Sequence, residues 1–212
     1  MKKKNLFIDL FSGLGGASEA FMRSESWDVV RIENNPELSF VPNTITQSVL
    51  DIESMMYNFD VLDHAKNYEK IVVWASPPCR EFSLGYNAPG PTAKREGKEF
   101  YPDMMLLRAA INFINYVDPD MWVIENVKGS VPYFENEMGP GYSALGKADQ
   151  VIDSIYLWGN FQPLILPKGF KHIKQDAWST TPFRANIRAM IPIQVSEALL
   201  ESCDQITLQE WV

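Results

Sequence analysis

The chain is poor in the residues that staple small proteins or hold metals: among 212 residues it has two cysteines, Cys79 and Cys203, and two histidines. Cysteines so far apart give neither a disulfide framework nor paired metal-ligand spacing, so a reducing, cytoplasmic setting is expected and metal catalysis is not. No apolar run reaches the roughly 18 to 20 residues of a membrane span, and no membrane partner is expected. The basic start MKKK leads into an apolar stretch that Asp9 interrupts at once, unlike an export signal. Positive charge is scarce as well. Nineteen Lys and Arg against 27 Asp and Glu leave a net charge of −8, which argues against a general nucleic-acid coat, because affinity for phosphate backbones comes from clustered cations. A local basic face stays open: Lys94, Arg95 and Lys98 fall close together, and Lys168, Lys171, Lys174, Arg184 and Arg188 gather later, although solvated segments would read the same way.

Apolar residues make up 46% of the chain, enough for one full core, and a single domain over 1–212 is expected. Segments 5–10, 28–33, 70–75 and 120–125 read as strands, mostly apolar on both faces. Segments 15–23, 54–66 and 103–116 read as helices; in the last, Met104, Leu107, Ala110, Ile111 and Ile114 recur at steps of three and four. Alternation of strand and helix predicts an α/β fold with a mostly parallel sheet and helices on both faces, its ligand crevice at the carboxyl ends of the strands. Between 129 and 187 the pattern loosens into an irregular insert, within which 154–161 reads as one further strand. A closing helix is expected from Pro192 to Ser202.

After the first strand, DLFSGLGGASEAF places Gly13, Gly15 and Gly16 directly before a helical pattern. Such glycines let backbone approach a ligand, and N–H groups at a helix start favour an anion; a tight turn without ligand fits equally well. Glu33 ends the second strand where nucleotide-binding sheets put an acid for ribose hydroxyls. Asp51 would end the third strand beside it, or cap the next helix. Together they favour an adenosine-bearing ligand.

In WASPPCREFS, Pro77 and Pro78 stiffen the backbone and hold Cys79 just past a strand end. A thiol aimed in this way is a candidate nucleophile, although an arbitrary cysteine is more often a small buried hydrophobe, as Cys203 is expected to be. Glu125 and Asn126 end the next strand. An acid there is either solvated at the rim or desolvated enough to donate a proton near neutrality.

Taken together, DLFSGLGG, Glu33, Asp51, SPPCREFS and IENV resemble the ordered motifs of the C5-cytosine DNA methyltransferases, with RAMIPIQVSEALL a weaker version of the family's closing motif. The resemblance implies a Rossmann-like S-adenosylmethionine-dependent methyltransferase fold and DNA as partner. Phe11, Gly13, Gly15, Gly16, Glu33, Asp51 and Pro78 would form the cofactor side, with Phe11 against adenine. Cys79 would be the nucleophile, and Glu125 would engage cytosine at N3. Ser83, Lys94, Arg95 and Lys98, in a loop from 83 to 102 expected to close over DNA, would contact the substrate with Asn126, Arg184 and Arg188. The chain departs from the family in two places. The usual Gln-x-Arg-x-Arg place offers Gln150 and Asp153 without arginine, and 129–187 stands where a full target-recognition domain would be, which leaves room for an accessory specificity subunit. A free cytosine nucleotide as acceptor, or a catalytically impaired DNA- or cofactor-binding protein, are the alternatives.

Overall fold

The computed structural model describes residues 3–51, 67–136, 139, 141–173 and 180–205. Seven strands form one sheet in the order β3-β2-β1-β4-β5-β7-β6. These are β1 (Asn5–Leu10), β2 (Trp27–Glu33), β3 (Thr44–Thr46), β4 (Ile71–Ala75), β5 (Met121–Asn126), β6 (Gln150–Ile152) and β7 (Ile155–Asn160). The strands from β3 to β5 pair in parallel, and β7 runs antiparallel to both β5 and β6.

Because side chains alternate along a strand, each central strand feeds two cores. Ile8, Leu10, Val73, Ala75 and Ile124 pack with Leu107, Ala110, Phe113, Ile114 and Val117 of helix α3 (Met105–Val117). On the other face Phe7, Val29, Val72, Trp74 and Val123 pack with Ala17, with Phe21 of α1 (Glu19–Met22), and with Val195, Leu199 and Cys203 of α6 (Ile193–Gln205). Cys203 is fully buried, as its reading as a small hydrophobe requires, and burial pushes its thiol up to about 12. Among the described helices none is long and apolar enough to cross a membrane.

Several elements depart from expectation. The first helix is only Glu19–Met22 rather than 15–23: Gly15, at φ +79°, cannot be part of a right-handed helix, and Ser18 stands as the N-cap with non-helical angles, φ −95° and ψ 1°. The third strand ends at Thr46, and Asp51 lies exposed in a 3-10 turn, Val49–Asp51. There Ser48 Oγ accepts the Leu50 N–H and Ser48 O accepts that of Asp51, closing the turn after the strand has ended. Asp51 is therefore not a strand-end acid. The helix expected over 54–66 lies outside the described residues.

The region 129–187 is not wholly irregular. It supplies α4 (Val131–Phe134) and the β6–β7 hairpin, turned at Asp153 with φ +55°, and it reaches into α5 (Arg184–Ala189).

Candidate active site

The chain runs outward from β1 through β2 to β3, then returns to the opposite side of β1 with β4. That reversal opens a crevice between the carboxyl ends of β1 and β4. The Ser76 N–H donates to Leu10 O at 3.2 Å and ties the two rims together. The glycine turn leaves one rim and Pro77-Pro78-Cys79 leaves the other.

On the first rim Phe11 adopts φ +59°, a sparsely populated conformation for a bulky residue, and remains half-buried. The turn is held from within: Ser12 N–H donates to Ile32 O, Gly15 N–H to Ser12 O, and Gly13 N–H to Glu33 Oε2 at 2.9 Å. Glu33 Oε1 accepts the Asn35 N–H at 2.9 Å. The amides of Gly13 and Gly15 are thus already engaged within the turn itself. Gly16 serves close approach instead, since a Cβ there would overlap the Ile191 carbonyl just before α6. Ser196 of α6 completes the junction, donating to Ala17 O and accepting the Ala20 N–H.

Under this turn lies a charged cluster that the sequence reading missed. Asp9 and Arg31, paired in register on β1 and β2, are 1% and 2% exposed. Ser18 Oγ donates to Asp9 Oδ2 at 2.6 Å and accepts from Arg31 Nε at 2.8 Å. Burial pushes the Asp9 carboxyl up from 3.8 to about 6, against the opposing pull of the Ser18 hydroxyl and the Arg31 guanidinium. A carboxyl whose folded pKa exceeds its unfolded value favours the folded state while protonated, and that contribution is lost as pH rises through the folded pKa. Asp9→Asn is expected to gain on the parent by about 2 kcal/mol between pH ~4 and ~7. Urea melts at both pH values check this; an offset that does not change with pH would contradict it.

On the second rim, Pro77 is buried, and Cys79 is half-buried at the start of the 3-10 turn Cys79–Phe82. Ala75 of β4 stands beside Ile124 of β5, so Cys79 and Glu125 emerge from neighbouring strand tips. Glu125 is half-buried. Asn126, 1% exposed, donates from Nδ2 to Pro77 O at 3.0 Å and accepts the Val127 N–H on Oδ1 at 2.9 Å. It fastens the Pro-Pro segment to β5 from inside the fold, which corrects its assignment as a DNA-facing residue. A second fastening was also missed: Gly129 is buried so closely against the Cys79–Phe82 turn that a Cβ would overlap the Phe82 carbonyl.

Beyond Phe82, the segment expected to close over DNA contains a helix, α2 (Pro89–Arg95). With the Cys79–Phe82 turn, Gly129 and Tyr133 it encloses an open cavity of about 720 Å³ lined by Ser83, Leu84, Lys94, Arg95 and Phe100. Ser83 Oγ accepts the Gly85 N–H at 3.2 Å. The exposed Arg95 guanidinium lies 3.9 Å over the Tyr86 ring and donates to Tyr86 O, while Lys98 pairs with Glu96 at 2.7 Å.

The late cations fall elsewhere. Arg184 and Arg188 belong to α5, whose Asn186 lies over Gly13 and whose neighbour Phe183 meets Phe40 at 5.6 Å. This puts α5 on the glycine-turn rim. Gln150 is bonded at both ends to the Leu164 backbone, and Asp153 Oδ2 accepts the His172 N–H.

A mostly parallel seven-stranded sheet reversing between β1 and β4, with a glycine turn and acid on one rim and a Pro-Cys segment on the other, is a Rossmann-like methyltransferase fold. The model of the C-5 cytosine-specific DNA methylases matches residues 6–136, and the chain belongs to that family. It is 33% identical over 129 residues to a probable DNA (cytosine-5)-methyltransferase of Frog virus 3 (isolate Goorha), covering 56% of this chain and 52% of that protein. It is 29% identical over 126 residues to the type II methyltransferase M1.HphI of Haemophilus parahaemolyticus, covering 57% of this chain and 32% of that protein. A solved methyltransferase structure from Entamoeba histolytica aligns with 61% of this chain and 39% of its own at 18% identity, with a TM-score of 0.33. The chain thus spans about half, or less, of the length of these curated relatives. The family match includes Cys79 and Glu125 and stops before β6.

Proposed function

We propose that the protein is a cytoplasmic enzyme that methylates C5 of cytosine in DNA, with S-adenosylmethionine as methyl donor. The observation that carries this reading is the arrival of Cys79 and Glu125 at adjacent strand tips, across the crevice from the glycine turn. The first rim fits the cofactor. Each Glu33 oxygen takes one N–H and keeps a lone pair for a ribose hydroxyl, and Phe11 is held at the crevice by its left-handed backbone. Phe11, Gly13, Gly15, Gly16, Glu33 and Pro78 are the residues that would hold it, with Asp51 beside them only if its turn swings inward. When bound, S-adenosylmethionine supplies an electrophilic methyl group on a sulfonium.

Cytosine C5 is too electron-poor to take that methyl unaided. The Cys79 thiolate adds to C6 while Glu125 shares a proton with N3, and the electron pair of the C5–C6 bond becomes available at C5. After methylation C5 gives up its proton, the C6–S bond breaks, and the thiolate departs with its electron pair. Attack on one ring face and methylation on the other require the base to leave the duplex stack. Ser83 and Lys94, which line the cavity, and the exposed Lys98 are the proposed phosphate contacts, joined by Arg95 once Tyr86 releases it, and by Arg184 and Arg188 where DNA passes the glycine-turn rim. Sequence choice is left to the β6–β7 region or to an accessory specificity subunit.

Duplex DNA carrying 5-fluorocytosine tests the whole reading, since fluorine at C5 cannot leave as a proton. An adduct stable in denaturing gels and dependent on S-adenosylmethionine is expected. Trapping on the free nucleotide alone would move the acceptor from DNA to nucleotide, and absence of any adduct would overturn the reading.

A further inference from the structure

We infer that Arg31 is the positioning residue of the cofactor rim, the floor on which the glycine turn is set. This rests on the function proposed above and adds a residue that touches neither cofactor nor DNA. Arg31 donates from Nε to Ser18 Oγ at 2.8 Å, from one terminal nitrogen to Pro42 O at 3.0 Å, and from the other to Gly15 O at 3.1 Å. Glu19 Oε2 lies 3.6 Å from that second nitrogen. One planar group thereby ties together the glycine turn, the start of α1 and the β2–β3 connection.

The contact with Gly15 constrains both partners. A Cβ at Gly15 would stand 2.5 Å from the Arg31 Cζ, so the glycine is required by the guanidinium beneath it as well as by its φ of +79°. Ser18 cannot replace Arg31 here. Its Oγ lies 3.2 Å from Gly15 O but has a single proton, which the shorter 2.6 Å bond to Asp9 takes, so Arg31 is the effective donor to the Gly15 carbonyl.

A buried, paired guanidinium is a poor device for stability, because an apolar side chain of similar volume stabilises a core at least as well. Its distinctive contribution is geometry, a fixed fork addressing several carbonyls at once. The geometry it fixes runs on to the ribose acid: Gly15 N–H is bonded to Ser12 O, and the intervening Gly13 donates to Glu33. Loosening Arg31 shifts the turn against which Glu33 is braced.

Calorimetry with S-adenosylhomocysteine, alongside DNA binding measured separately, tests this on the intact chain. Arg31→Lys keeps charge and bulk but loses the fork, and Arg31→Met keeps bulk alone. Both are expected to weaken cofactor binding, by about tenfold or more for Arg31→Met, with DNA affinity unchanged and with turnover recovering at saturating cofactor. Parent protein that does not bind the cofactor refutes the proposed function rather than the role of Arg31. Arg31→Lys with parental cofactor affinity overturns the inference, as does a loss of both affinities together, the mark of general loosening. If Arg31→Met does not fold, the Arg31→Lys result decides.

Discussion

Cys79→Ala is expected to transfer no methyl group to DNA and to form no adduct with 5-fluorocytosine, while binding S-adenosylhomocysteine as the parent does. The loss is set by chemistry. Without addition at C6 the C5 carbon has no electron pair to offer, and the other thiol, Cys203, is buried in the core, so the rate falls by roughly three orders of magnitude or more. Cofactor binding survives because Cys79 sits beyond β4 and the glycine turn is braced independently through Glu33 and Arg31. Glu125→Gln is expected to act less completely, slowing transfer by about 10²- to 10⁴-fold by removing the shared proton. Label transfer that persists in Cys79→Ala would refute the covalent route, and a simultaneous loss of cofactor binding would show that Cys79 holds the rim rather than attacks the base.

The parts of this site legible in the sequence were those that chain geometry alone dictates. Four strands apolar on both faces announce a covered parallel sheet, and the crevice follows from the alternation of strand and helix. What stayed hidden depends on partners distant in sequence. Arg31 reads in DVVRIE as a polar interruption of a strand, and only the folded chain brings Ser18, Gly15 and Pro42 around it. Asn126 follows Glu125 and shares its strand tip, yet strand alternation turns it the opposite way, onto Pro77. β6 and α5 escaped notice because they are short, and α2 because it starts with Pro89 and Pro91 in a glycine-containing stretch that reads as loop. The β6–β7 turn runs through Asp153 at positive φ, which aspartate adopts without the glycine that signals hairpins.

Gly129 follows the same logic and leads to the second large effect. Nothing in ENVKG distinguishes this glycine from a loop glycine, and its backbone requires no positive φ. Its constraint is contact: the 3-10 turn Lys128–Ser130 packs so tightly on the Cys79–Phe82 turn that any side chain would strike the Phe82 carbonyl. That carbonyl belongs to backbone, not to the end of a flexible chain, so one of the two turns must move. The 128–130 side is held by Asn126 Oδ1, which accepts the Val127 N–H, and by Ser130 Oγ, which donates to Val127 O; both residues are buried. Both turns border the cavity, but the Cys79–Phe82 turn gives it Glu81 and Phe82 against Gly129 alone from the other, and is the side expected to yield. Overpacking of this kind costs on the order of 1–3 kcal/mol of stability, whereas a displacement of about 1 Å at a nucleophile costs about 100-fold in rate. Gly129→Ala is therefore expected to fold, bind S-adenosylhomocysteine as the parent does, and trap 5-fluorocytosine DNA about two orders of magnitude more slowly. Trapping at the parental rate in a folded Gly129→Ala protein would show that the Cys79 turn is not set by this contact, and would leave the Asn126–Pro77 bond as its fastening to β5.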